Sequence, residues 1–226
     1  MLIVAIDTSG RHGSVALCRG DADRFEVLQL GALEGGTYSA RLVPTIASLF
    51  EQNNFDRRAV EALVVVSGPG SFTGLRVGLA TAKGLCEVLQ RPLAMVSMLE
   101  AVAATRGSVG QIVTVVLDAG RGEVYVGEYE VASGGAKLIR EYIRKLAEFA
   151  AEAKNASGEL VSPDPSVLDH LQAANVKVRS VAPVQADEIG RLGLRKLLAG
   201  DIAEIASVDV NYIRRSDAEI FSAPKR

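Results

Sequence analysis

Tryptophan is absent from the 226-residue sequence, aromatic residues make up only 5% of it, and cysteine and histidine occur twice each. The core must therefore be built from valine, leucine, isoleucine and alanine. Cys18 and Cys86 lie in apolar segments without a CxxC motif, which predicts neither a zinc site nor a disulfide framework and fits a reducing compartment. His12 and His170 have no His or Cys companion at ligand spacing, so no metal site is predicted.

The sequence also lacks a basic excess and a long apolar run. Its 25 Lys and Arg residues stand against 27 Asp and Glu residues, which gives a net charge of -2. Because a protein that binds nucleic acid alone usually presents a basic face, we expect that any RNA would be held by another chain. No run approaches the roughly 20 apolar residues of a membrane helix. The short apolar start reaches Asp7 without the basic residues of a signal peptide, so a cytoplasmic protein is expected.

Hydrophobic periodicity predicts alternating strands and helices. A buried strand at residues 2–6 ends in the turn Asp7-Thr8-Ser9. Further strands are expected at residues 13–18, 25–30, 60–66, 93–96, 112–117 and 123–131. Helices are expected at residues 37–52, where Pro44 marks a kink or the start, and at residues 72–89, 98–105, 144–153, 166–173 and 186–199. The strand at 112–117 ends in Asp118, and this repeat predicts an α/β protein of two lobes, residues 1–105 and 106–226.

The glycine-rich segment GPGSFTG, residues 68–74, lies between a predicted strand and a predicted helix. Its glycines allow positive φ and close approach, and Ser71 or Thr73 can cap the helix. The free N–H groups at a helix start suit a phosphate or another anion. A tight strand-to-helix turn explains the same residues, and the lysine of the GxxxxGK[ST] phosphate loop is missing.

The polar turns also permit two interpretations. Asp7, Thr8 and Ser9 bring a carboxylate and two hydroxyls to a strand end, which suits phosphates or a metal but equally a turn held by its own side chains. The same holds for the turn at Asp118. A Ser-His-Asp hydrolase would use Ser71 with a histidine, but the GxSxG elbow is absent.

Small and apolar residues share one stripe of the helix at residues 72–89. They either pack inside the fold or form a subunit interface with the preceding helix, and the spacing leaves both open. The residues of this candidate interface are Leu42, Ile46, Leu49, Leu75, Gly78, Leu79, Ala82 and Leu85.

Several segments together resemble one family, bacterial TsaB (YeaZ). They are residues 3–9 (IVAIDTS), 14–17 (SVAL), 67–79 (SGPGSFTGLRVGL), 117–125 (LDAGRGEVY) and 211–215 (NYIRR). The match is dense over residues 1–131 and sparse over residues 132–205. Tyr38-Ser39 departs from it, since relatives often have His-Ser or His-Thr there, and Gly120 stands where they commonly have arginine.

The resemblance implies a two-lobed actin/Hsp70-like fold of the ASKHA, ribonuclease H-like class. It implies a non-catalytic pseudoenzyme that supports the threonylcarbamoyltransferase TsaD in making N6-threonylcarbamoyladenosine in tRNA. The ATPase TsaE would join the pair, and the chain would form a homodimer in isolation. Metallo- or serine-peptidase activity and actin-like ATP hydrolysis are the alternatives.

The resemblance also implies where the sites lie. The two N-terminal helices would dock TsaD, so that arginine in place of Leu79 or Ala82 would abolish the heterodimer without unfolding the chain. No catalytic residue, metal or resident cofactor is expected. ATP or ADP at the heteromeric interface would contact Asp7, Thr8, Ser9, Gly70, Ser71, Thr73, Gly74, Arg76 and Asp118.

Overall fold

The computed structural model describes residues 1–154 and 158–209, so the closing signature at residues 211–215 lies outside the described residues. The first of two five-stranded sheets has the order β3-β2-β1-β4-β5. An antiparallel meander, β1 to β3, is extended by two parallel strands. The strands are β1 (Leu2–Asp7), β2 (His12–Gly20), β3 (Phe25–Glu34), β4 (Ala62–Gly68) and β5 (Leu93–Ser97).

The second sheet repeats this topology with the order β10-β9-β6-β7-β8. Here too a meander of three antiparallel strands is followed by two parallel ones. Its strands are β6 (Ile112–Gly120), β7 (Glu123–Ala132), β8 (Gly135–Lys145), β9 (Glu159–Ser162) and β10 (Arg179–Ser180). The predicted α/β fold of two related lobes is therefore confirmed, although the sequence pattern predicted none of the last three strands.

Six α-helices cover the two sheets in the described part of the chain. They are α1 (Tyr38–Gln52), α2 (Phe72–Leu89), α3 (Met98–Arg106), α4 (Leu146–Ala153), α5 (Pro165–Ala173) and α6 (Ala186–Leu198). The helix α1 runs through Pro44 and begins six residues before it. None of the helices in the described residues is long and apolar enough to cross a membrane.

The strand β1 is buried on both faces because helices cover the first sheet on each side. Val4 lines a pocket with residues of α1 and α2, whereas Ala5 lies against Gly190 of α6. A Cβ at Gly193 would lie only 2.2 Å from Val64, so α6 packs closely on the strand β4. This arrangement explains why the strand sequence is a continuous apolar run rather than an alternating one.

Two helices pack on the sheet of the other half of the chain, which differs from the predicted division at residue 105. The helix α3 packs mainly on the second sheet, and α6 returns from the C-terminal part of the chain to cover the first sheet. Arg106 connects the two parts, because its guanidinium donates to both carboxylate oxygens of Glu188 and to the backbone oxygens of residues 182 and 183. The lobes are thus defined by the sheets and not by one cut in the sequence.

Candidate functional site

The turn that follows β1 holds its own side chains together. Asp7 is 3% exposed, and its Oδ1 accepts hydrogen bonds from the backbone N–H of Ser9 at 2.8 Å and from the Ser9 hydroxyl at 2.7 Å. Burial raises the pKa of Asp7, and the two hydrogen bonds from Ser9 offset part of that shift. The carboxylate is therefore engaged within the turn.

The glycine-rich segment lies directly on this turn. The backbone N–H of Ser71 donates to the Ser9 carbonyl at 2.6 Å, and the Thr8 hydroxyl donates to the Gly74 carbonyl at 2.8 Å. A Cβ at Gly74 would lie 2.0 Å from the Thr8 carbonyl oxygen, and one at Gly78 would lie 2.3 Å from Thr8 Oγ1. Glycine is required at these positions because α2 lies directly against the turn and leaves no room for a side chain. Neither glycine has a positive φ, so backbone conformation does not explain the requirement.

The start of α2 is capped as predicted. Ser71 is the N-cap residue, and its Oγ accepts a hydrogen bond from the Gly74 N–H at 3.3 Å. The polar groups of the segment therefore form hydrogen bonds with one another and with the neighbouring turn. This geometry supports the interpretation of the segment as a strand-to-helix turn.

The start of α1 is fastened to the same turn by Tyr38. The Tyr38 hydroxyl donates to the Gly10 carbonyl at 2.7 Å, and its ring fills the space beside Gly13. Burial and the nearby Asp7 raise the pKa of Tyr38 to about 12. Both α1 and α2 therefore begin in contact with residues 7–10.

A cleft of about 1080 Å³ opens between the lobes beside this turn. Six of the nine predicted phosphate contacts line it, namely Ser9, Gly70, Ser71, Thr73, Gly74 and Asp118. Asp7 lines a second, smaller pocket of about 150 Å³ that also has residues of both lobes. Thr8 and Arg76 line neither pocket, and the Arg76 guanidinium lies over the Phe72 ring at 3.8 Å. The structure thus separates these two residues from the other candidates.

The second lobe contributes a cleft residue that the sequence analysis missed. Asp164 Oδ2 accepts a hydrogen bond from the Asp118 N–H at 2.7 Å. Burial raises the pKa of Asp164, and the hydrogen bond from the Asp118 N–H offsets part of that shift. The proline at position 165, in the first turn of α5, could have marked Asp164 as a helix start. Among residues 1–154 and 158–209, no three His, Cys, Asp or Glu side chains are grouped to hold a metal ion.

The predicted interface residues lie mostly inside the chain, which corrects their proposed role. Seven of the eight are buried, and only Leu85 is half-buried; the seven are Leu42, Ile46, Leu49, Leu75, Gly78, Leu79 and Ala82. They form the face of α1 and α2 that packs within the first lobe. Arginine at position 79 or 82 would place a charge in this core, so we now expect it to unfold the chain.

The outer faces of α1 and α2 form a different surface. It is uncharged and partly or fully exposed, and we call it the helix-pair surface; it consists of Ala40, Val43, Ala47, Val77, Thr81, Gly84 and Val88. Val43 is 55% exposed and Val88 is 81% exposed. Leu85 and Ile46 help to line an apolar pocket of about 110 Å³ between the two helices. Exposed apolar residues on two neighbouring helices are typical of interaction sites.

Asp7 makes the folded state sensitive to pH. We expect the Asp7→Asn variant to keep both hydrogen bonds from Ser9 and to lose this sensitivity. Since the folded-state pKa is raised above the ordinary value of 3.8, wild-type stability falls as pH rises from 3.8 to the folded-state pKa. Within that window the stability of the wild type should fall, relative to the variant, by about 1.4 kcal/mol per pH unit. Urea unfolding of both proteins at a series of pH values measures this, and parallel curves would contradict it.

Comparisons with known proteins agree with the fold. A family model described as "TsaD: tRNA N6-adenosine threonylcarbamoyltransferase" matches residues 35–165, more than half of the chain. The tRNA threonylcarbamoyladenosine biosynthesis protein TsaB of Bacillus subtilis is 35% identical over 134 residues, which cover 59% of this chain and 57% of that protein. TsaB of Haemophilus influenzae is 31% identical over 170 residues, which cover 74% and 66%.

A solved structure extends the comparison along the chain. The crystal structure of a Pseudomonas aeruginosa protein, described as similar to peptidase YeaZ, superposes with a TM-score of 0.73 at 24% identity. It covers 94% of this chain and 99% of that one. Together with the two five-stranded sheets, these findings define a two-lobed α/β protein with the fold of the YeaZ-like structure. The chain belongs to the TsaB (YeaZ) family, within the wider family that the TsaD model describes. It spans between 57% and 66% of the length of the two curated relatives.

Proposed function

We propose that this chain is a non-catalytic partner subunit of a TsaD-type threonylcarbamoyltransferase in the N6-threonylcarbamoyladenosine modification of tRNA. The relatives named TsaB support the pathway. The exposed, uncharged helix-pair surface is the observation that carries the role of a partner subunit. TsaD docks on this surface, and the same surface forms a homodimer when TsaD is missing.

The chemistry of the turn supports the non-catalytic part of the proposal. The Thr8 hydroxyl donates a hydrogen bond to α2, and the Ser71 hydroxyl caps that helix. The Asp7 carboxylate accepts a hydrogen bond from the Ser9 hydroxyl. A serine peptidase would need Ser71 as its nucleophile, but here its Oγ accepts from a backbone N–H. An actin-like ATPase would need Asp7 open to the large cleft, whereas Asp7 lines only the smaller pocket and is 3% exposed. Neither alternative is proposed.

The remaining partners are part of the same proposal. The ATPase TsaE joins the heterodimer, and tRNA is held by the complex because this chain has a net charge of -2. ATP or ADP at the heteromeric interface contacts the six cleft-lining candidates and not Thr8 or Arg76. The chain acts in the cytoplasm, without membrane contact.

Reconstitution tests the proposed role. Purified TsaD-type paralogue and TsaE are incubated with threonylcarbamoyl-adenylate and tRNA, with and without this chain, and modified adenosine is measured by mass spectrometry. We expect product only when this chain is present together with the paralogue, and none from this chain alone. Product from this chain alone would contradict the non-catalytic role, and full activity without it would contradict the role in the pathway.

A further inference from the structure

One turn of the first lobe touches both helices that carry the helix-pair surface. Residues 7–10 follow β1, and they lie beneath the starts of α1 and α2. None of these four residues belongs to the surface itself. Their contacts with the two helices are therefore a means by which the turn can set the shape of that surface.

The first contact fixes the distance between α2 and the sheet. Thr8 is 1% exposed, and its hydroxyl donates to the Gly74 carbonyl at 2.8 Å. The same oxygen lies where a Cβ of Gly78 would be only 2.3 Å away. One hydroxyl thus fits between two consecutive turns of α2. Moving α2 outward would break the hydrogen bond, and moving it inward would cause a clash.

The second contact fixes the start of α1. Tyr38 is the first residue of that helix, and its hydroxyl donates to the Gly10 carbonyl at 2.7 Å. Its ring also reaches α2, because a Cβ at Gly74 would lie 3.3 Å from the ring edge. Tyr38 therefore connects the turn, α1 and α2 in one packed unit.

We propose that Thr8 and Tyr38 are positioning residues of the helix-pair surface: they set its affinity for the partner subunit without touching the partner. The inference rests on the proposed function. Because packed interiors transmit small displacements, a shift of either helix start changes the spacing between Val43 on α1 and Val88 on α2. Any event that displaces residues 7–10 will change partner affinity, and partner binding will in turn stabilise the turn by the same factor.

The test compares variants that remove one hydroxyl each. Thr8→Val and Tyr38→Phe keep the shape and lose the hydrogen bond to Gly74 or Gly10. Ser14→Ala is the matched control, since the buried Ser14 hydroxyl accepts from the Ala186 N–H at 2.9 Å and holds α6 on the opposite face of the sheet. The dissociation constant for the TsaD-type paralogue is measured by calorimetry, and the unfolding free energy of each protein by urea denaturation.

We expect Thr8→Val and Tyr38→Phe to raise the dissociation constant about tenfold each. Ser14→Ala should lose similar stability but bind as the wild type does, and Thr8→Ser should restore binding. Folded variants with wild-type affinity, or an equal loss of affinity in Ser14→Ala, would overturn the positioning role. If Thr8→Val does not fold, Tyr38→Phe decides alone. A wild-type chain that fails to bind the paralogue would instead overturn the proposed function and this inference with it.

Discussion

Replacing Gly74 with alanine is expected to destabilise the fold by about 3 kcal/mol, at the upper end of the usual range for overpacking. The new Cβ would lie 2.0 Å from the Thr8 carbonyl oxygen, and this oxygen belongs to the backbone next to the buried strand β1. Because both the new Cβ and the Thr8 oxygen are attached to backbone, neither can move aside without a large cost. The helix α2 must therefore move away and lose its hydrogen bond from Thr8. Urea unfolding monitored by circular dichroism measures the effect.

Gly84 provides a matched control in the same helix. It lies on the outer face of α2, and a Cβ there would meet no atom within 4 Å. Gly84→Ala should therefore stabilise the isolated chain by about 1 kcal/mol, because alanine favours the helix. If Gly74→Ala and Gly84→Ala changed stability alike, the close contact between the turn and α2 would be disproved.

The sequence alone predicts the frame of the first lobe. The apolar run at residues 2–6, the helix at residues 72–89 and the cap at Ser71 were all predicted correctly, since each has a local signal in periodicity or residue type. The glycine-rich segment was also recognised as a strand-to-helix turn. Its close packing against Thr8 was not predictable, because that contact spans 66 positions of the chain.

The orientation of α1 and α2 could not be decided from their residues. Small and apolar side chains at helical spacing suit a core and an interface equally, and Leu79 and Ala82 were assigned to the wrong face. Only the position of the sheet beneath the helices decides which stripe is buried. The second stripe, which includes Thr81 and Gly84, carries too weak a hydrophobic pattern to be chosen in advance.

The second lobe was harder to predict because its signals are irregular. The strand β8 pairs with β7 through a bulge at Glu128 and Tyr129, so strict alternation is lost and its end at Lys145 was assigned to a helix. The contact between Asp118 and Asp164 joins residues 46 positions apart. Each element carried too little local information to show which residues would meet in the cleft.

Changing Val88 to glutamate is expected to prevent the heterodimer while leaving the chain folded. Val88 is 81% exposed, so a charge there costs the isolated chain little. In the complex the carboxylate would be buried in an uncharged interface without a partner. We expect a loss of about 3 kcal/mol in binding, which raises the dissociation constant about a hundredfold.

Calorimetric titration of the TsaD-type paralogue into the wild type, Val88→Glu and the control Val109→Glu tests the central claim most directly. Val109 is 68% exposed but lies in the turn before β6, far in sequence from both helices. The account predicts a one-to-one complex for the wild type and Val109→Glu, and none at the same concentrations for Val88→Glu. Equal affinity of all three proteins would show that the helix-pair surface does not dock the paralogue.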